Sequence, residues 1–176
     1  MKALHLALLA QLAGSLLSSA ATFTVTATTD AGHGSLRQAL LDANAAPGLD
    51  TIEFSLPGAG PYSIAPLSPL PAILDPVVLE GTTQPGWGCQ PIIELSGASA
   101  GTNANGLHLI AGSSTIRALV INRFAGHGVL LETNGNNVIE GCYIGLDWAG
   151  VADQGNGGHG VAIVSSSDNR LGGTNA

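Results

Sequence analysis

Basic residues are nearly absent from this chain: five Lys and Arg stand against twelve Asp and Glu, for a formal charge of −7. Nucleic acids and anionic membrane surfaces are bound chiefly through clustered Lys and Arg, and no cluster exists, so neither is expected as a partner. Aromatics are scarce at 4% and cysteines number two. The first excludes an aromatic-rich core and the second a disulfide-stapled miniprotein. Long apolar runs are missing too, apart from Ala3 to Leu17 near the N-terminus. Nothing after that run is apolar enough to span a bilayer, which needs ~20 such residues.

Glycine is abundant, at 25 of 176 residues, and 45% of the chain is hydrophobic. That apolar fraction is too high for disorder, and the glycines imply a tightly turning, aliphatic-cored β protein of one domain. Lys2, the apolar run and the small residues Ser18-Ser19-Ala20-Ala21 read as a secretory signal over residues 1–21, so the mature chain is expected to be secreted or at the cell surface.

A phrase then recurs. Leu79-Glu80-Gly81, Ile116-Arg117-Ala118, Ile139-Glu140-Gly141 and Leu171-Gly172-Gly173 each place a branched aliphatic, a variable residue and a residue almost without side chain, at spacings of 37, 23 and 32. A second phrase, Gly and then an apolar residue, precedes the last three copies at Gly106-Leu107, Gly128-Val129 and Gly160-Val161, by 10, 11 and 11 residues. Periods of this size signal a solenoid. The runs between glycines are too short for helices and rich in β-branched residues, so they read as strands stacked in parallel, like on like.

Three segments are expected: the signal, an N-terminal part over 22–76, and repeats over 77–176. In the second, Ser35 with Gln38 forms a capping box, and Leu36, Ala39, Leu40 and Ala43 share one face of a helix ended by Pro47-Gly48. Such a helix would cap one end of the stack. The chain stops just after a repeat phrase, as a piece of a longer protein would, and an uncovered last coil would favour self-association.

These residues carry a resemblance. Gly34-Ser35-Leu36-Arg37-Gln38-Ala39-Leu40, Asp42-Ala43-Asn44-Ala45, Asp50-Thr51-Ile52-Glu53-Phe54 and Glu80-Gly81-Thr82-Thr83-Gln84-Pro85-Gly86 resemble the N-terminal module of bacterial secreted and surface right-handed parallel β-helix proteins, the pectin-lyase-like group. Val120-Ile121-Asn122-Arg123-Phe124, Tyr143-Ile144-Gly145 and Leu171-Gly172-Gly173-Thr174 extend it over the mature chain. The resemblance implies an all-β right-handed parallel β-helix with a short N-terminal capping helix. It also implies a non-catalytic, adhesin-like surface module, with polysaccharide lyase, hydrolase or epimerase chemistry as the alternative. Cys142 stands where the group's repeat usually carries Asn.

Candidate sites follow from the pattern. Glu80, Arg117 and Glu140 share one repeat position and would form an outward column, readable as an active site or as a salt-bridge ladder. Trp87 and Trp148 lie in Gly-rich loops, where an indole either stacks on a sugar or covers the flank of a core. They are the ligand-binding candidates for an extracellular glycan or surface protein. Asp147, Asp153 and Asn156 offer oxygen ligands to calcium, and equally are ordinary turn residues. His127 and His159 precede Gly128 and Gly160 and would stack at a shared turn as neutral imidazoles. Cys89 and Cys142 occupy different repeat positions, so two buried free thiols are favoured over a bridge.

Overall fold

The computed structural model describes residues 19–173, so the signal sequence lies outside the described residues for positions 1–18, and Thr174 to Ala176 lie outside as well. Chain order begins with β1 (Thr22–Val25), α1 (Leu36–Ala45), β2 (Asp50–Phe54), β3 (Tyr62–Ile64), β4 (Val77–Glu80) and β5 (Ile93–Ser96). It continues with β6 (Leu107–Leu109), β7 (Thr115–Arg117), β8 (Val120–Asn122) and β9 (Val129–Glu132). Last come β10 (Val138–Glu140), β11 (Tyr143–Ile144), β12 (Val161–Val164) and β13 (Arg170–Leu171).

The helix forms where the sequence places it. Ser35 caps it by accepting from the Gln38 N–H, and Leu36, Ala39, Leu40 and Ala43 are its buried face, set against β1 and β2. Only half of the capping box closes, because Gln38 Nε2 donates to Asp42 Oδ1 at 2.8 Å instead of reaching back. Ala46, the residue before Pro47, is extended, as a residue preceding proline must usually be, and the helix ends there.

The all-β right-handed parallel β-helix that the resemblance implies is corrected by the strand pairing, which gives separate parallel sheets of short strands and not a clear solenoid. The strands gather into three separate parallel sheets of unequal depth: six strands in the order β1-β2-β4-β7-β10-β13, four in the order β11-β8-β5-β3, and three in the order β12-β9-β6. Passes of the chain that enrich one sheet therefore skip another. The interruptions have visible causes. The pass between β1 and β2 is spent on α1. The Pro-rich stretch before β4 supplies a single bridge, Ile73 to Leu109, where a strand would be needed, since proline has no N–H to give a ladder. Individual strands are two to five residues long, and a ten-residue helix stands among them.

Within the sheets the repeat phrases do meet. Ile52, Leu79, Ile116, Ile139 and Leu171 follow one another in register across the six-stranded sheet. Leu107, Val129 and Val161 do so across the three-stranded one. The aliphatics at these positions as far as Ile139, together with Leu95, Ile121 and Phe124, form one buried core. Because side chains alternate across a strand, the residue after each core aliphatic must face outward.

Candidate functional site: a charge ladder beside two grooves

That alternation builds the ladder. Glu53, Glu80, Arg117 and Glu140 occupy one register position on β2, β4, β7 and β10. Arg117 bridges its neighbours: Nη1 lies 2.6 Å from Glu80 Oε2, Nε lies 2.6 Å from Glu140 Oε1, and Nη2 also contacts Glu140 Oε1. Glu80 Oε1 accepts from Thr82 Oγ1 at 2.6 Å and from the Thr82 N–H. Arg170, opposite Val138 and so two residues before the ladder position on its strand, extends the ladder by reaching Glu140 Oε2 at 2.7 Å.

Burial is uneven along it. Glu80 and Glu140 side chains are 13% and 14% exposed, whereas Arg117 and Arg170 are 40% and 42% exposed. The guanidiniums thus roof the carboxylates. The hydrogen bond from Arg170, then that from Arg117, holds the Glu140 carboxyl below the usual carboxylate range. The Glu140 hydrogen bond in turn raises Arg117, outweighing its partial burial.

Two grooves flank a turn that begins at Pro85. One, of about 300 Å³, is lined by Thr82, Trp87, Cys89, Pro91, Arg117, Ala118, Glu140, Gly141 and Gly173. The other, of about 420 Å³, is lined by residues 58–62, Pro85, Gly86, Gln90, Pro91, Ile92 and Trp148. Trp87 is 38% exposed and Trp148 52% exposed, so neither is the buried packing residue that an indole usually is. The structure brings the ladder and Trp87 to one groove and sets Trp148 across the turn.

The calcium candidates do not converge. Asp147 Oδ1 accepts from the N–H groups of Val151 and Ala152, at 2.9 and 3.1 Å, and these backbone bonds lower its pKa. Asp153 bridges Leu146 in the same hairpin. Asn156 turns the other way, its Oδ1 accepting from Phe124 N at 3.0 Å and its Nδ2 donating to Ile121 O. These residues close loops and do not fit a cation cage. Among the described residues no group of three or more His, Cys, Asp and Glu is placed to hold a metal ion.

His127 and His159 stack with ring centroids 5.3 Å apart and 3° between planes, and His127 Nδ1 accepts from the His159 backbone N–H at 2.9 Å. That acceptor role puts the His127 ring proton on Nε2. Both cysteines are free, but only Cys142 is largely buried, with burial pushing its thiol up to about 11; Cys89 is exposed, against the expectation of two buried thiols.

Sequence reasoning missed a second outward pair, Glu94 with Arg123 at 3.0 Å, joined by Asn122 Nδ2 at 2.9 Å from Glu94. The signal was there: Glu94 sits beside Val120 in the register, so Asn122 and Arg123 are the polar residues just downstream on the next strand. No protein-family model matches the chain and no curated protein is significantly similar to it, so the resemblance to pectin-lyase-like proteins gains no support from these comparisons.

Proposed function

We propose that this chain is a non-catalytic secreted or cell-surface module that holds extracellular glycan on the loop side of its six-stranded sheet. The observation that carries this reading is the pairing of the ladder. A general acid needs a carboxyl whose pKa is raised toward the working pH. Glu140 is held in the opposite direction by two arginines. Glu80 has both oxygens engaged, by Arg117 and by Thr82. Acids satisfied in this way act as structural ties, and the exposed indoles beside them supply binding surface.

The test separates binding from turnover. The purified chain is incubated with a panel of neutral and acidic polysaccharides, and retention on each is measured alongside the release of reducing ends and of unsaturated products. Retention without product supports the module. Turnover that disappears in Glu80→Gln or Glu140→Gln overturns it in favour of a lyase or hydrolase.

A further inference from the structure

We propose that the two grooves form one continuous strip for a neutral, unsubstituted glycan chain, with Trp148 and Trp87 as stacking platforms toward its two ends. This rests on the reading above and adds the path and the ligand class. The chain has seven aromatic residues among Phe, Trp and Tyr. Phe54, Phe124 and Tyr62 are buried, while both tryptophans stay exposed and each lines a groove. Both grooves are lined by Pro91, their common wall beside the turn that divides them.

The turn that divides them is shaped by its backbone. Gly86 and Cys89 both lie in the left-handed region, at φ of 90° and 70°, the second a conformation that non-glycine residues adopt rarely. Trp87 is carried between these two bends. A flat apolar ring offered at a groove edge matches the C–H face of a pyranose, while exposed Gln90 can meet its hydroxyls and the Thr82 hydroxyl, whose proton goes to Glu80, can accept from them.

Charge selects the class. Among the described residues no acidic or basic side chain lines the Trp148 groove, and its one phenol, Tyr62, donates to Gly58 O at 2.6 Å. The Trp87 groove contains one Arg and one Glu, and these bind each other. No unsatisfied cation is offered to a uronate or sulfate, and a chain of formal charge −7 repels a polyanion at long range. Uncharged hydroxyl-rich sugar is the ligand whose desolvation this surface matches.

The experiment uses the full chain, with intrinsic tryptophan fluorescence and isothermal titration calorimetry. The probes are cellobiose and cellohexaose, mannobiose and mannohexaose, and hexagalacturonate as the anionic contrast. At least one neutral hexasaccharide is expected to bind, with Trp87→Ala and Trp148→Ala each weakening it by about tenfold or more. Phe at either position should restore most of the affinity, and circular dichroism checks that each variant folds. The matching disaccharide should depend on one tryptophan only.

A hexasaccharide sensitive to a single tryptophan overturns the continuous strip and leaves a glycan-binding module standing. Preference for hexagalacturonate overturns the ligand class alone. Failure of all five probes to bind overturns the strip. If the polysaccharide panel is also not retained, the parent reading falls with it.

Discussion

Among the described residues Asp50 alone holds a buried side-chain polar atom without a hydrogen-bond partner, and replacing it with Asn should stabilise the protein. Asp50 is fully buried; its Oδ1 accepts from Ala21 N at 2.8 Å, and its Oδ2 is buried without a hydrogen-bond partner. The same register position is held by Val77 and Ser114 on the next two strands of the sheet and by Asn on the last two. Asn137 Oδ1 accepts from Ser114 N at 3.1 Å, and Asn169 Oδ1 accepts from Asn137 N at 3.0 Å, each reproducing the bond that Asp50 makes to Ala21. Their Nδ2 groups then donate to the carbonyl three residues upstream, Asn134 O at 3.1 Å and Ser166 O at 3.0 Å. An amide at position 50 keeps the Oδ1 bond and puts a donor where Oδ2 now has none. A buried polar atom left unsatisfied costs about 1–3 kcal/mol. For a chain of this size that corresponds to a rise in melting temperature of roughly 2–12 °C. Thermal denaturation followed by circular dichroism at pH 7 measures it for Asp50→Asn and Asp50→Ala. Asn should melt above the native protein and Ala below it, because Ala forfeits the Ala21 bond and leaves a void. An Asn variant that melts below the native protein would refute the argument.

Further outcomes follow from the ladder, the core and the thiols. Arg117→Met should destabilise by about 1 kcal/mol, the scale of a half-exposed ion-pair network, and the difference from the native protein should shrink in 1 M salt; salt-independent melting would place the effect in packing. The ladder and the Arg37 bond to Asp30 hold Glu140 and Asp30 below their ordinary values of 4.5 and 3.8. Their contribution is therefore whole above about pH 5 and lost as pH falls through the depressed values, a loss that an acid titration of Glu140→Gln should show reduced. Ile139→Asp should unfold the chain, since Ile139 is 4% exposed in the core and an unpaired buried charge costs several kcal/mol. A thiol reagent at pH 8 should modify exposed Cys89 quickly and Cys142 only on denaturation, and two fast thiols would contradict the burial that raises Cys142 to about 11.

Which features were legible depended on whether strand register carries them. The alignment of Leu79, Ile116, Ile139 and Leu171 is legible from the recurring phrase in spite of its uneven spacing, because aliphatics that share a core must share a register, whatever the loops between them do. Once that column is fixed, alternation fixes the next, so the sequence itself places Glu80, Arg117 and Glu140 together. The sheet depths were not legible. How many strands each sheet gains depends on where Pro and Gly break the pairing, and those residues mark an interruption without saying which sheet loses a member. Asn156 misled for a related reason: in sequence it stands in a run that looks like a cation loop, while in space it caps the Phe124 backbone.

The same contrast separates the ladder from the grooves. Arg170 is two residues earlier in register than the column it completes, opposite Val138 and on the same outward face, and joins Glu140 diagonally through the length of its side chain. Register therefore predicts neighbours at the backbone but not the reach of arginine. The grooves lie further still from what periodicity encodes, since Trp87 and Trp148 are 61 residues apart in loops of unrelated length. Their common feature is Pro91, which both cavities touch. The charge pairs of the ladder follow the strand register from Glu80 to Glu140, so they come with the stacking itself. The exposed indoles do not repeat. Side chains that break the pattern and stay exposed gain nothing for the core, which is why the proposed glycan surface runs through the loops and not along the ladder.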